Sequence, residues 1–229
     1  MTRTEAMQAD IDVGLRQYML RVYNYMASGL ALTGLVAAFV ASNETLQMAI
    51  FGSPLKWVAM LAPIALVFYF SFRLHAMSAS AAQAVFWVYA ALNGVAFSTI
   101  FLAYTGTSIA RVFFISAATF AAMSLYGYTT KKDLSGWGTF LFAGLVGIVI
   151  AMVVNIFLAS SALQFAISVI GVMVFVGLTA YDTQQIKEMY FEGDGSEVAA
   201  KKSIMGALKL YLDFINIFMM LLQLFGERK

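Results

Sequence analysis

WGTFLFAGLVGIVIAMVVNIFLASSALQFAISVIGVMVFVGLTAYD, residues 137–182, carries no Asp, Glu, Lys or Arg before its final residue. A helix needs about 20 apolar residues to cross the hydrocarbon core of a bilayer. The stretch is long enough for two such helices, one over Trp137–Leu158 and one over Leu163–Tyr181. The polar break at Ser160-Ser161 leaves room only for a very short turn, so the two form a tight hairpin. Asp182 closes the second.

The same pattern continues on both sides. Further apolar runs cover Val22–Ala41, Trp57–Phe72, Ala81–Ala103, Ile109–Tyr128 and Ile204–Phe225, which makes seven spans in all. The whole chain of 229 residues is 62% hydrophobic and 11% charged, with a mean hydropathy of +0.82. Soluble domains are about 45–50% apolar and about 25% charged, and so much apolar surface has no place to hide in water. The fold class read from these runs is an all-α membrane protein, divided into a polar tail at 1–21 and a transmembrane domain over 22–226. The tail reads as a solvated segment or an interfacial helix. Asn43 and Glu44 read as a polar loop followed by a turn at Gly52-Ser53-Pro54, and Pro63 as a kink or hinge inside the second span.

Composition excludes several classes of function. The chain has no cysteine, so disulfides, thiol catalysis and cysteine metal sites are ruled out, and a single histidine, His75, with no His/Glu cluster argues against a zinc site. The net charge of +2 is too small for a nucleic-acid partner. No nucleophile–base pair and no phosphate-binding glycine loop stands out, so the chain does not read as an enzyme. Basic residues are unevenly distributed over the loops. Arg3, Arg16, Arg21, Arg73, Lys131, Lys132, Lys187, Lys201, Lys202 and Lys209 fall on one side, and Lys56, Arg111, Arg228 and Lys229 on the other. The positive-inside rule then places the amino terminus in the cytoplasm and the carboxyl terminus outside. Small residues four apart, such as Gly94 with Ser98, Ala117 with Ala121 and Ala143 with Gly147, permit close helix packing in lipid.

Asp213 is the most informative position, because it lies within the last span. A charge at bilayer depth costs at least about 2.5–3.5 kcal/mol, so such a residue faces the protein interior and has a partner. Lys209 is one helical turn away, Arg73 ends the second span, and Asp182 ends the sixth. Pairing with Lys209 alone makes Asp213 a structural residue. Pairing with Asp182 makes the two a joint site for a proton or a hard cation, since two close carboxylates do not both ionise cheaply. Asn93, Asn155 and Asn216 are possible supporting oxygens. Two carboxylates make a weak site, which suits an ion that must enter and leave.

The segments ISVIGVMVFVGLTAYDTQQIKEM, residues 167–189, and ALKLYLDFINIFMMLLQLFG, residues 207–226, resemble the signature segments of the Bax inhibitor-1 family, also called the transmembrane Bax inhibitor motif family. Lys131-Lys132-Asp133-Leu134-Ser135 is similar to the bacterial members, and the resemblance runs from about Tyr18 to Gly226. It implies a seven-helix bundle with the seventh helix central, in the inner membrane of a bacterium. It further implies a pH-sensitive calcium leak with no resident cofactor, in which Asp182 and Asp213 form the sensor and a transient calcium site. By the same resemblance Arg73 would be the latch of the closed form. At higher pH the ionised pair holds Arg73; protonation frees the second span to swing about Pro63. The resemblance also leaves a second role open, as a regulator that binds a membrane-anchored quality-control protease through the 1–21 tail. Gly193-Asp194-Gly195 is an addition to the family pattern.

Overall fold

The computed structural model describes the backbone of residues 3–229 and the side chains of residues 13–74 and 76–229. Eight helices follow one another: α1 (Arg3–Ser42), α2 (Glu44–Phe51), α3 (Leu55–Arg73), α4 (Ala79–Ala103), α5 (Gly106–Thr129), α6 (Ser135–Leu158), α7 (Ser161–Glu188) and α8 (Ser196–Phe225). A single 3-10 turn, Leu74–Ala76, follows α3. Seven of the helices, all but α2, are long and apolar enough to cross a membrane. Each contains one of the runs read from the sequence.

The differences lie at the helix ends. α1 does not begin at Val22 but extends back to Arg3; the side chains of residues 3–12 lie outside the described set, as does that of His75. The stretch read as a polar loop after α1 is a helix start. Asn43 caps α2 by accepting the Leu46 N–H on Oδ1 at 3.0 Å, and Glu44 sits in the first turn, where the helix dipole favours an acid. α7 runs on to Glu188, so Asp182 lies inside the helix and not at its end. α8 begins at Ser196, two turns before the apolar run.

The helices fall into two units. The first comprises the chain up to Ala103 together with Met189–Leu208. In it α4 packs directly on α1. A Cβ on Gly94 would lie 2.7 Å from the Thr33 carbonyl oxygen, so only glycine admits this approach. The Thr33 hydroxyl uses it to donate to the Ala90 carbonyl at 2.8 Å. The added Gly193-Asp194-Gly195 segment also acquires a role. Lys202 Nζ bridges Asp194 Oδ2 (2.5 Å) and the Met189 carbonyl (2.9 Å), and the neighbouring Tyr190 ring stands 5.7 Å from that of Tyr18 on α1. The loop is therefore tied down at both ends.

The second unit comprises Tyr104–Glu188 and Lys209–Lys229, that is α5, α6, α7 and the rest of α8. α6 and α7 form the tight hairpin read from the sequence. α6 ends on Ala159 in the left-handed conformation (φ 48°), and Asn155 Oδ1 accepts the Ser160 N–H at 3.0 Å. At the other end of α6, Ser135 donates to Asp133 Oδ1 at 2.8 Å and holds that exposed carboxyl below its ordinary range. Gln184 of α7 reaches the same turn, accepting from Leu134 N–H and donating to the Lys132 carbonyl. α5 meets α7 where the Ser124 and Thr183 hydroxyls bond at 2.9 Å.

The outer faces of both units are apolar. Phe157 is 83% exposed and Ile156 76%, as residues that face lipid should be. α8 differs from the others: 72% of its most apolar stretch is buried, against 11% for α6. The seventh span is thus the most enclosed of the seven.

The α5–α7 approach gives a direct test. A Cβ on Gly127 would lie 2.2 Å from the Ala180 backbone oxygen, which has no flexible end to move. Overpacking of this kind costs about 1–3 kcal/mol, so Gly127→Ala lowers the midpoint of thermal unfolding in detergent. Gly147→Ala, whose added Cβ meets nothing within 4 Å, leaves the midpoint in place.

Candidate functional site: an acidic pair between two helices

α7 and the later part of α8 bring Asp182, Lys209 and Asp213 together within the second unit. Lys209 and Asp213 lie one turn apart on α8 and so share a face. Yet the Lys209 ammonium goes across to α7, where Nζ stands 3.4 Å from Asp182 Oδ1. Helix geometry accounts for the choice. Side chains lean toward the helix amino terminus, so a lysine that precedes its acid by four residues leans away from it, and this order is the weaker one.

Asp213 is consequently left without an ammonium of its own. It is 4% exposed, and its Oδ2 has no hydrogen-bond partner. The charged groups that act on it are Asp182 and Lys209. The Asp182 side chain is 14% exposed and that of Lys209 36%, so the trio opens outward on the lysine side and closes around Asp213. Two carboxylates and one ammonium sum to −1 when all three are ionised. Burial opposes an uncompensated charge. The arrangement is therefore completed by one more positive charge, either a proton on the pair or a small hard cation between oxygens. Among the described residues no three His, Cys, Asp or Glu side chains gather into a metal-binding group.

The other residues singled out in the sequence divide by position. Asn216 sits one turn beyond Asp213 and donates from Nδ2 back to the Leu212 carbonyl at 2.8 Å. Asn155 belongs to the far end of the hairpin. It donates to Gln164, eighteen residues before Asp182 on α7, and a helix of that length spans about 27 Å. Asn155 therefore shapes the turn and does not face the acidic pair. Asn93 lies in the first unit, buried, and donates to the Tyr89 carbonyl of its own helix. Arg73, also in the first unit, ends α3 as an exposed residue and takes part in none of the ion pairs among the described residues.

Sequence reasoning missed two features of this region. One is the Lys209–Asp182 pairing, for which the only available signal was the unfavourable order of Lys209 and Asp213. The other is a second polar group on the same two helices. Gln164 and Ser168 of α7 both donate to Gln223 Oε1 of α8, at 2.5 and 2.8 Å. No motif marks it, because glutamines near span ends are ordinary.

Comparison with known proteins places this geometry in a family. A family model described as "Inhibitor of apoptosis-promoting Bax1" matches residues 15–229. An uncharacterized protein of Rickettsia prowazekii is 49% identical over 226 residues, covering 99% of this chain and 96% of its own. Inner membrane protein YbhL of Escherichia coli K12 is 48% identical over 219 residues, 94% of each chain. An uncharacterized protein of Deinococcus radiodurans is 47% identical over 214 residues, covering 93% of this chain and 92% of its own. With seven apolar spans and a match to the family model over residues 15–229, this chain is a multi-pass membrane protein of the Bax inhibitor-1 family.

Proposed function

We propose that the protein is a pH-sensitive calcium leak channel of the bacterial inner membrane, in which Asp182 and Asp213 both sense protons and pass cations. The observation that carries this reading is the buried, unpartnered Oδ2 of Asp213 in a trio whose ionised charge is −1. A site of this kind holds a positive charge without binding it tightly, because one ammonium already offsets half of the acid. A cation that enters can also leave. The inner-membrane setting agrees with the printed name of the Escherichia coli relative. The excess of basic residues on one side of the chain supports a cytoplasmic amino terminus and an outside carboxyl terminus.

In this reading the sign of the pH dependence follows from charge alone. At higher pH the pair carries its full negative charge and holds the latch, Arg73. As pH falls a proton takes the place of the missing positive charge, the hold weakens, and α3 moves aside about Pro63. Flux therefore rises with acidity. Lys209 keeps Asp182 in place throughout, so the proton that matters is the one shared with Asp213.

Two measurements test the scheme. Asp213→Asn removes the titrating group at near-constant volume, and calcium flux into proteoliposomes then no longer varies with pH; a pH profile like that of the unaltered protein refutes the scheme. Lys209→Met takes the trio to −2 and lowers stability in detergent by about 1–3 kcal/mol, between the exposed and buried limits for an ion pair. Adding Asp213→Asn returns the charge to −1 and recovers part of that loss. Additive losses in the double variant would show that Lys209 does not act on the pair.

A further inference from the structure

The α8 residues Lys209, Asp213, Asn216, Met220 and Gln223 recur at alternating steps of four and three, which places them along one seam of the helix. Four are polar. Met220 is the exception, and it is 5% exposed. On α7 the matching position is Gly171. A Cβ there would lie 1.9 Å from Met220 Sδ and 2.6 Å from its Cε, so the thioether end fills the hollow that the glycine leaves. On one side of this contact lie Asn216, Asp213, Lys209 and Asp182. On the other lies the carboxamide–hydroxyl group of Gln223, Gln164 and Ser168, with Asn155 donating to Gln164 Oε1 at 3.1 Å. The bond between Gln164 and Gln223 is exposed. Asp213 and Gln223 are ten residues apart, or about 15 Å along the helix.

We infer that the α7–α8 seam is a two-chambered cation route, with Met220 seated on Gly171 as a hydrophobic gate and Gln223, Gln164 and Ser168 as a second, outer oxygen site. The inference rests on the leak-channel reading above and names the barrier on that route. An apolar constriction between two polar chambers stops hydrated ions by excluding water, with no charge of its own. Methionine suits the task. Its unbranched side chain changes rotamer without moving the helices, and it refills a bare glycine hollow on return. The outer group offers neutral amide and hydroxyl oxygens, the ligand type hard cations accept, and their lack of charge keeps residence short. Simple packing glue would not need polar residues on the same seam at both ends of the contact.

The absence of cysteine makes the test clean, since an introduced thiol is the only one in the chain. Gln223→Cys and Asn216→Cys are each reconstituted at high pH and exposed to a charged, membrane-impermeant thiol reagent from the face that carries residue 223. Gln223→Cys reacts readily. Asn216→Cys, behind Met220, reacts more than about tenfold slower, as a dry constriction requires. Combining Asn216→Cys with Met220→Ala opens the way and brings the two rates together, and Met220→Ala alone raises calcium flux at low pH, where the Arg73 latch is released. Equal reaction of the two thiols with Met220 in place overturns the gate. So does a folded Met220→Ala that changes neither labelling nor flux. The comparison with Met220 intact decides the matter even where Met220→Ala does not fold. A protein with no calcium flux in any variant, but with Asn216→Cys protected, sinks the leak-channel reading and leaves the plug standing as packing, so the two failures are distinguishable.

Discussion

The constraint on which the rest depends is the cost of a carboxylate in an apolar setting. Asp213 has to be taken out of lipid, and in a chain this apolar only the interior of the protein can take it. That requirement fixes the face of α8 turned inward. It also agrees with α8 being the most buried of the seven spans, although its composition is no more apolar than several that face lipid. Once α8 is enclosed, its neighbours need not hide their own apolar side chains, and α6 leaves most of its surface bare. A membrane protein has little hydrophobic force with which to bring helices together. Polar groups and close backbone contacts have to supply it.

Those contacts are placed with economy. Gly127 on α5 and Gly171 on α7 each remove a side chain where another element must sit, backbone in the first case and a thioether in the second. Ser124 and Thr183 bond across the α5–α7 approach that Gly127 permits, and Gln184 two-handedly secures the α5–α6 turn. Phe214, the residue after Asp213, stacks edge-on against Phe113 and Phe120 at 5.5 and 5.7 Å. Aromatic contacts of this type orient the helix as well as packing it. Asp213 is thus pointed by its neighbour, and the register of α8 does not rely on the acid alone.

Much of this was legible in the sequence, and the reasons differ by residue. Runs of apolar residues report spans directly, so all seven were found. Ala103, Leu158 and Phe225 were also found as ends, but other ends were not, because Ser161, Glu188 and Ser196 continue helices with polar side chains that look like loop. α2 escaped because eight residues between two spans are too few to show a period. Asp182 and Asp213 stood out because acids are rare at depth. The partner of Lys209 was not evident, since sequence proximity suggested Asp213 while side-chain direction selected Asp182. Asn155 looked like a buried ligand, and it is a turn cap; a residue's polarity is visible in the sequence, but the atom it faces is not. Gln164 and Gln223 were silent because they lie 59 positions apart and neither is unusual where it stands.

A neutral trio would have been a different object. Had one acid been an asparagine, the charges would balance and the site would serve as glue between α7 and α8. Fixed pairs of that kind hold helices together but have nothing left with which to attract an ion. The geometry instead leaves one oxygen of Asp213 unanswered in a closed surrounding. Retaining such a group costs stability, and the cost is recovered only when something positive arrives. The partly exposed ammonium of Lys209 at the open side limits the deficit to a single charge, so that a lone proton restores balance. A deficit of two would hold a cation more firmly; a deficit of none would leave no charge for a cation to answer. One unpaired carboxylate oxygen, set behind a lysine that has turned to another partner, lies between those extremes.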